Sequence, residues 1–352
     1  MDQLRQKIEK ALSQLGSSYS AYGLTLDLLH GDASARRYVR VSGDLPQRSL
    51  VAMILAPEQA RFSEEAMRGP QADELPFLNI HRYLDRSGVR VPRVYLTDES
   101  LGVVLLEDLG DNTLERVLQV DDQADIAELY TRAVELLADL QARTTSNRDE
   151  ACLAYTRSFE FDLLRWELDH FIEYIVVADR KQTLSGPERQ VIDQAFDKLA
   201  ETIAGWSRGF VHRDFQSRNL MFKEDDIVLI DFQDALLGPS VYDLVALLRD
   251  SYIVLDTDLV DRLIDCYLQA CARHELERPA RDKFIRQFDQ LTVQRKLKDA
   301  GRFVFIDRVK GNPNFLPFIP ASLNYVAEAL TRLEDLADCQ EVLARVVLEL
   351  AP

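Results

Sequence analysis

The 352-residue chain is acidic, with a formal net charge of −17 and 29% charged residues. This charge argues against nucleic acid and against anionic membrane surfaces as partners, because both favour basic patches. The 47% hydrophobic content is that of a soluble globular protein long enough for two lobes, and no run is apolar enough to span a bilayer. Four scattered cysteines predict buried free thiols, and an amphipathic N-terminus without a signal-peptide pattern predicts a cytoplasmic protein.

The first hundred residues predict a helix followed by a small antiparallel sheet. Apolar residues recur at spacings of three and four within residues 2–15, as in an amphipathic helix. Residues 24–56 alternate in the manner of antiparallel strands. Between two of these strands lies a run of small and polar residues, whose backbone amides could approach phosphate oxygens or simply close a hairpin turn. The run consists of Gly31, Asp32, Ala33, Ser34, Ala35 and Arg36.

A helix, a strand and a second strand follow before the chain becomes mainly helical. The pattern of residues 73–87 predicts a helix that stops at Gly88, and the segment LGVVLLEDLGD at 101–111 reads as a strand entering a turn. Helical stripes then cover 127–143, 158–176 and 187–207. The helix at 158–176 has a charged second face, which predicts either a solvated surface or one wall of a substrate pocket.

The most informative stretch is FVHRDFQSRNLMFKEDDIVLIDFQD at residues 210–234. Two short strand-like segments fix the positions of a polar loop and of the acidic residue that ends the second segment. The stretch contains His-Arg-Asp, an Asn five residues after that Asp, and Asp-Phe twelve residues after the Asn. Transfer of a phosphoryl group from a nucleotide requires a carboxylate to accept the proton of the attacking hydroxyl and oxygen ligands for magnesium. The spacing predicts Asp214 as the base and Asn219 and Asp231 as metal ligands.

Residues around this stretch are predicted to support the site. His212 and Arg213 precede the base, and Asp243 begins the helix DLVALLRDSY, from which it would brace the loop through its backbone or through Arg213. Gln233 stands where a protein kinase has the glycine of Asp-Phe-Gly, which removes a permissive backbone position and predicts a fixed site. The remainder, residues 257–350, reads as helices, with GNPNFLPFIPAS as a loop and a last helix near 323–350.

Several strings resemble the kinase-like phosphotransferases, the group that includes aminoglycoside phosphotransferases and choline kinases. They are GDASARRYVRV, VLLEDLGD, HRDFQSRNLM, IDFQDALLGPSVYDLVALLRD and a late Asn-Pro-Asn-Phe…Ile-Pro, and they run from about residue 20 to about residue 320. Within this group the strings are most similar to bacterial cell-wall-recycling sugar kinases. Those enzymes phosphorylate the anomeric hydroxyl of N-acetylmuramate and N-acetylglucosamine.

The resemblance implies a two-lobed α+β fold, with a sheet-containing lobe at 1–107 and a mainly helical lobe at 108–352. It implies ATP and Mg²⁺ as cofactors and a small amino sugar as acceptor. The small-residue run would cover the phosphates, with Arg36 or Arg37 reaching them, and the backbone around Leu106, Glu107 and Asp108 would contact adenine. Candidates for acceptor contacts are Glu167, Asp169, Arg249 and Asp250.

One departure from the protein-kinase pattern keeps alternatives open. The strand Val51-Ala52-Met53-Ile54-Leu55 lacks the lysine of Val-Ala-Ile-Lys that pairs the phosphates. Either an arginine replaces that lysine, or magnesium manages the phosphate charge, or the protein is a nucleotide-binding pseudokinase. A kinase of choline or an aminoglycoside is the other alternative, because Trp166, Glu167, Asp169 and Glu173 could surround a cation.

Overall fold

The computed structural model describes residues 2–19, 23–29, 37–55 and 74–351. The predicted phosphate-covering residues Gly31, Asp32, Ala33, Ser34 and Arg36 lie outside the described residues. Contacts divide the chain into two compact units that interleave along the sequence. The first unit comprises Met1–Leu75, Arg90–Asn112 and Met221–Ile230, and the second comprises Pro76–Val89, Thr113–Leu220 and Asp231–Pro352. The lobe boundary predicted between residues 107 and 108 stays a prediction.

The first unit is built on a five-stranded antiparallel sheet with the order β1-β2-β3-β5-β4. Helix α1 (Asp2–Gln14) buries Ile8, Ala11 and Leu12 in one core with residues from the sheet, which confirms the predicted N-terminal helix and sheet. A two-stranded hairpin completes the strands of this part of the chain. The strands are β1 Thr25–Leu29, β2 Arg37–Ser42, β3 Ser49–Ile54, β4 Val94–Asp98, β5 Val103–Glu107, β7 Leu220–Lys223 and β8 Asp226–Leu229.

The second unit is mainly helical and contains one short antiparallel strand pair, β6 (Arg208–Val211) with β9 (Leu236–Pro239). No helix of the described ranges is long and apolar enough to cross a membrane. A sheet-containing unit and a helical unit together confirm the predicted α+β class. The helices are α2 Pro76–Arg86, α3 Leu114–Val120, α4 Ile126–Ser146, α5 Phe161–Phe171, α6 Gly186–Ala204, α7 Tyr242–Leu248, α8 Thr257–Arg273, α9 Arg281–Lys310, α10 Ile319–Leu330 and α11 Ala337–Val346.

Local sequence explains where α6 begins. Ser185 is its N-cap, and the Ser185 hydroxyl accepts a hydrogen bond from the backbone N–H of Glu188. The Glu188 carboxylate accepts from the Ser185 N–H at 2.9 Å, so the two residues form a capping box. Pro187 occupies the first turn, where a missing N–H costs nothing. The helix therefore starts at the Ser-Gly-Pro sequence, as its pattern predicted.

In the second unit one strand was not predicted, and two predictions are wrong in detail. Strand β9 was not foreseen, because its short sequence Leu-Leu-Gly-Pro carries no alternation. The segment predicted as a loop contains a 3₁₀ helix at Pro313–Phe318 and the start of α10 at Ile319, since prolines in a first helical turn are tolerated. The single last helix predicted near 323–350 is two helices, α10 and α11, separated by a turn at Leu333.

Helix α9 is the longest helix of the second unit. It is 30 residues long, and its side chains from Phe288 to Ile306 are buried except at Lys298 and Arg302. Helix α5, which continues as a π-helical segment at Ile172–Asp179, crosses α9 at Gly301. A Cβ atom at Gly301 would lie 2.8 Å from the backbone oxygen of His170, so only glycine allows this approach. The charged second face of α5 is therefore partly internal rather than solvated, since Glu167 and His170 are both buried.

Candidate active site

The loop that carries the predicted base begins at the end of β6 and is held by a buried carboxylate. Asp243, on α7, accepts hydrogen bonds from the backbone N–H groups of His212 at 2.7 Å and Arg213 at 3.0 Å. Burial raises the pKa of Asp243 to about 7. Arg213 has the left-handed φ of 76°, which is uncommon for a residue with a side chain and indicates that its surroundings impose the conformation.

The far end of the same loop is held by a second buried carboxylate. Asp250 accepts from the Ser217 N–H at 2.9 Å and from the Ser217 hydroxyl at 2.6 Å. Within the loop, the Asn219 side-chain amide donates to the backbone oxygen of Asp214 at 2.8 Å. These bonds fix the backbone on both sides of Asp214, whose own carboxylate remains 39% exposed. A carboxylate on a rigid loop and open to solvent is suited to meet a substrate hydroxyl.

Asp231 follows β8 and also has a left-handed backbone, with φ of 64°. The Gln233 side-chain amide donates to the Asp231 carboxylate at 2.9 Å and to the Asp234 carboxylate at 3.2 Å. Gln233 therefore links two acidic side chains that would otherwise repel each other. The sequence identified Gln233 only as a substitute for glycine, whereas its amide gives it a positioning contact in the structure.

The donor set at this site matches what magnesium requires. The Asn219 amide nitrogen is used in the bond to Asp214, which leaves the Asn219 side-chain oxygen as its acceptor group. Asp231 supplies carboxylate oxygens, and Mg²⁺ in nucleotide sites is held by one or two carboxylates together with substrate phosphates. No group of three His, Cys, Asp or Glu side chains placed to hold a metal occurs within the described ranges. An ion here would depend on phosphate and water ligands as well.

Helix α9 brings a cluster of buried charges to the predicted base, and the sequence analysis did not identify it. We call Arg295, Lys296, Lys298 and Asp299 the α9 cluster. Arg295 is 1% exposed, and its Nη1 donates to the backbone oxygen of Arg213 at 2.8 Å. Its Nη2 lies 3.6 Å from the Asp214 carboxylate. The residue before the base is thus held at its N–H by Asp243 and at its oxygen by Arg295.

Positive charge exceeds negative charge within the α9 cluster. The Asp299 carboxylate lies 2.8 Å from Lys296, 3.0 Å from Lys298 and 3.8 Å from Arg295. Burial opposes ionisation of Asp299, but these cations outweigh burial and lower its pKa. The sequence signal was a run of charged residues, Gln-Arg-Lys-Leu-Lys-Asp, inside a helical pattern. Such a run ordinarily lies on a solvated face, so only the packing of α9 reveals it.

The four acceptor candidates have partners in the second unit. Glu167 is buried, lies 3.3 Å from Arg213 and accepts from the Gln294 amide at 2.8 Å. Asp169 pairs with Arg165 and Arg189 on the surface. Arg249 is buried and pairs with Glu328 at 3.0 Å, and Asp250 holds the catalytic loop as described above. Contacts of these four residues with an acceptor remain a prediction, and their observed contacts are structural.

The end of β5, where adenine contacts were predicted, also uses its polar groups internally. The Glu107 N–H donates to the Arg93 oxygen at 2.8 Å, and the Asp108 oxygen accepts from Lys223 at 2.7 Å. Leu106 pairs with Val51 of β3 in the sheet. Adenine recognition at Leu106, Glu107 and Asp108 therefore stays a prediction.

The strand without the expected lysine is β3, and arginines of β2 lie beside it in the sheet. Arg37 begins β2 and is exposed. Arg40 is paired in register with Val51 of β3, and its guanidinium contacts Asp108 at 2.8 Å and Asp111 at 2.9 Å. Of the two arginines in β2, Arg40 is thus already neutralised by two carboxylates, whereas Arg37 is open to solvent.

Comparison with known proteins agrees with this geometry. A model of the phosphotransferase enzyme family matches residues 25–281. A curated relative, the N-acetylmuramate/N-acetylglucosamine kinase of Neisseria meningitidis serogroup B, is 32% identical over 344 residues, which cover 97% of this chain and 96% of the relative.

Solved structures support the kinase-like fold. A choline kinase from Cryptosporidium parvum superimposes with a TM-score of 0.64 at 12% identity, covering 99% of both chains. An amicoumacin kinase solved with AMP-PNP and Ca²⁺ superimposes with a TM-score of 0.56 at 14% identity, covering 96% of both chains. At these identities the likeness concerns the fold, and it confirms the two-part kinase-like architecture that the sequence implied.

Proposed function

This chain belongs to the phosphotransferase enzyme family, and on that premise we propose that it transfers the γ-phosphoryl group of ATP to the anomeric hydroxyl of N-acetylmuramate and N-acetylglucosamine. The observation that carries the proposal is the constrained loop that presents Asp214, together with a relative named for this activity that matches nearly the whole chain. The kinase activity follows from the family, and the acceptor and the anomeric position are the parts proposed.

The proposed reaction uses Asp214 to orient the acceptor. Its half-exposed carboxylate accepts a hydrogen bond from the sugar hydroxyl and takes the proton as the oxygen attacks the γ-phosphorus. A new oxygen–phosphorus bond forms while the bond from the γ-phosphorus to its bridging oxygen breaks, so ADP leaves and a sugar phosphate is produced. Arg295 and Asp243 hold the peptide of Arg213 and thereby keep the Asp214 side chain directed at the substrate.

Asn219 and Asp231 are the proposed magnesium ligands. Magnesium, when bound, would supply positive charge that neutralises the phosphates of the nucleotide. The role of the protein is to hold these two side chains still, through the bond from Asn219 to the Asp214 oxygen and the bond from Gln233 to Asp231. The support for ATP as donor is the family itself and the AMP-PNP bound to the amicoumacin kinase of similar fold.

Two observations support a sugar rather than a cationic acceptor. The relative from Neisseria meningitidis is named as a kinase of two amino sugars. In addition, two of the carboxylates that could have formed a cation cage are already paired, Glu167 with Arg213 and Asp169 with Arg165 and Arg189. A choline or aminoglycoside cation would need such carboxylates unpaired.

An ADP-release assay with ATP and Mg²⁺ tests the proposal against a panel of N-acetylmuramate, N-acetylglucosamine, glucose, choline and kanamycin. Turnover of the two N-acetylated sugars alone is expected, with ³¹P NMR of the product locating the phosphate on the anomeric oxygen. Turnover of choline or kanamycin would show that the acceptor is a cation and not an amino sugar. Nucleotide binding without turnover of any acceptor would contradict the proposed activity.

Variants separate the roles of the two carboxylates. Asp214→Ala should lower kcat by about 10²–10⁴-fold while leaving the Kd for ATP within a few-fold, because a general base acts only in the transition state. Asp231→Ala should weaken binding of magnesium nucleotide as well as lower the rate. Equal and mild effects of both changes would contradict this assignment.

A further inference from the structure

Helix α9 carries a line of basic residues that starts at the catalytic loop and leads toward solvent. Arg295, Lys298 and Arg302 follow one another at spacings of three and four, which puts them on one face of the helix. Between Phe288 and Ile306 the only side chains that are not buried are Lys298 and Arg302. We call these three residues the basic stripe. Both side chains of this stretch of α9 that are partly exposed are therefore cations.

At the inner end of the basic stripe, the Arg295 guanidinium has too few hydrogen-bond acceptors. Arg295 is fully buried, yet its Nε and Nη2 have no hydrogen-bond acceptor among the residues that the structure describes. The neighbouring carboxylates of Asp214 and Asp299 lie at 3.6 and 3.8 Å from these atoms. A buried guanidinium ordinarily finds partners for its donors, because an unsatisfied buried donor is costly. This site therefore has the capacity for a further anionic or polar group.

The carboxylate of Asp299 is shared by three cations. It faces Arg295, Lys296 and Lys298, and Lys296 is directed into the interior, where it also donates to Ser251 at 2.6 Å. Lys298, with 14% of its side chain exposed, is the most exposed cation of these three.

The surface of α5 and its π-helical continuation beside the basic stripe carries aromatic side chains, and we call it the aromatic wall. His170 lies between Trp166, at 4.3 Å between ring centroids, and Tyr174, at 5.0 Å, and the Arg302 guanidinium lies 4.6 Å above the ring of Phe305. Gly301 brings this α5 wall against α9. Aromatic rings offer apolar surface for the C–H face of a pyranose, while cations beside them suit an acidic substituent.

We propose that the basic stripe binds the carboxylate of an acidic amino-sugar acceptor, with Lys298 as the residue that distinguishes N-acetylmuramate from N-acetylglucosamine. The inference rests on the proposed function, since Asp214 must receive the hydroxyl of the same sugar. The two acceptors differ by the lactyl ether of muramate, which carries a carboxylate. Arg295, whose guanidinium lies 3.6 Å from Asp214, precedes Lys298 by three residues. These three residues span about 4.5 Å along the helix axis, a length comparable with one pyranose ring.

The test compares N-acetylmuramate with its neutral carboxamide and with N-acetylglucosamine as acceptors, at saturating ATP and Mg²⁺. Wild-type protein should show a kcat/KM at least tenfold higher for the acid than for the carboxamide. Lys298→Gln should lower kcat/KM for the acid about ten- to a hundredfold more than for the carboxamide, the range of a lost charge-assisted hydrogen bond. Lys298→Arg should retain most of the discrimination, and Lys283→Gln, an exposed lysine on the same helix, serves as control.

Other outcomes overturn the inference. Equal use of the acid and the carboxamide by the wild-type protein would do so without any variant, and so independently of folding. A Lys298→Gln protein whose KM for ATP rises instead would assign the stripe to nucleotide phosphates. An equal loss on every acceptor would make Lys298 a structural residue. Absence of turnover with any sugar would contradict the proposed function, and this inference would then fail because it rests on that function.

Discussion

Charged side chains gather in similar numbers at the end of β5 and in the middle of α9, but their surroundings differ. At the end of β5, three cations face three carboxylates at partly exposed positions, and we call this group the β5-end cluster. Its members are Arg40, Arg90, Lys223, Glu107, Asp108 and Asp111. In the α9 cluster, three nearly completely buried cations share Asp299, and one of them, Arg295, lies 3.6 Å from Asp214.

The difference shows where charge serves stability and where it serves function. Partly exposed pairs gain little net energy, because water screens them and competes for their hydrogen bonds. Fully buried charges are costly to desolvate, and strongly perturbed charged groups occur often at functional sites. The β5-end cluster is thus a structural tie, and the α9 cluster is the one that we propose to serve the active site.

The largest expected effect is that of Arg295→Met. The change removes the buried donor to the Arg213 oxygen and the guanidinium that lies 3.6 Å from the Asp214 carboxylate. We expect a loss of about 3–5 kcal/mol in the free energy of unfolding, and a kcat lower by about a hundredfold because the base is no longer held in place. Urea unfolding and steady-state kinetics measure both.

The matched control is Arg345→Met, which breaks an exposed pair with Glu341. It should change the free energy of unfolding by less than about 1 kcal/mol. If the two variants were equally stable, the buried contacts of Arg295 would have no special energetic role.

A smaller effect is expected from Gly301→Ala, which overpacks the crossing of α5 and α9. The added methyl group would lie 2.8–3.0 Å from the backbone of His170 and Phe171, and backbone atoms of two helices cannot move aside independently. The loss should be about 1–3 kcal/mol, with a reduced kcat/KM because the aromatic wall shifts from the basic stripe. Gly186→Ala, a helical glycine with open space around its Cβ position, should be neutral or slightly stabilising.

Glu107→Gln tests the β5-end cluster through pH. Burial opposes ionisation of Glu107, but Arg90, the Arg93 N–H and Lys223 outweigh burial and lower its pKa to about 2. Because the folded pKa is depressed, the stabilisation is present above the unfolded value near 4.5 and is lost as pH falls through about 2.

The variant should therefore be less stable than the wild type by about 1–2 kcal/mol at pH 6, after allowance for solvent screening. The gap should close as pH falls from about 4.5 to about 2. Urea unfolding at several pH values measures it, with the exposed Glu99→Gln as control. A gap independent of pH would show that Glu107 acts through packing rather than through its charge.

The smallest effect is expected from Arg40→Met. Its partners Asp108 and Asp111 are paired at the surface end of the sheet, with Asp111 half exposed, so the loss should be about 0.5–1 kcal/mol. Amide hydrogen exchange of β2 and β3 reports this loss locally. A loss as large as that of Arg295→Met would erase the contrast between the two clusters.

Much of the site could be predicted because it is local in sequence. Asp214, Asn219 and Asp231 lie within one stretch whose spacing is itself the chemical requirement, and Asp243 follows closely behind. The hydrogen bond between Arg295 and the Arg213 oxygen joins residues 82 positions apart, so no local sequence pattern predicts it. No local pattern predicts the contact of Asp250 either, because its carboxylate accepts from Ser217, which lies 33 residues earlier in the chain.

By itself, the sequence determined the α+β class and the position of the loop whose side chains we propose as reactive, because hydrophobic period, turn residues and short motifs act over neighbouring residues. Only the tertiary structure decided which charged residues are internal. A run such as Arg-Lys-Leu-Lys-Asp has the same composition on a solvated face and in a core. The close crossing at Gly301 and the packing of α9 place these charges beside Asp214, and that placement is a property of the whole fold.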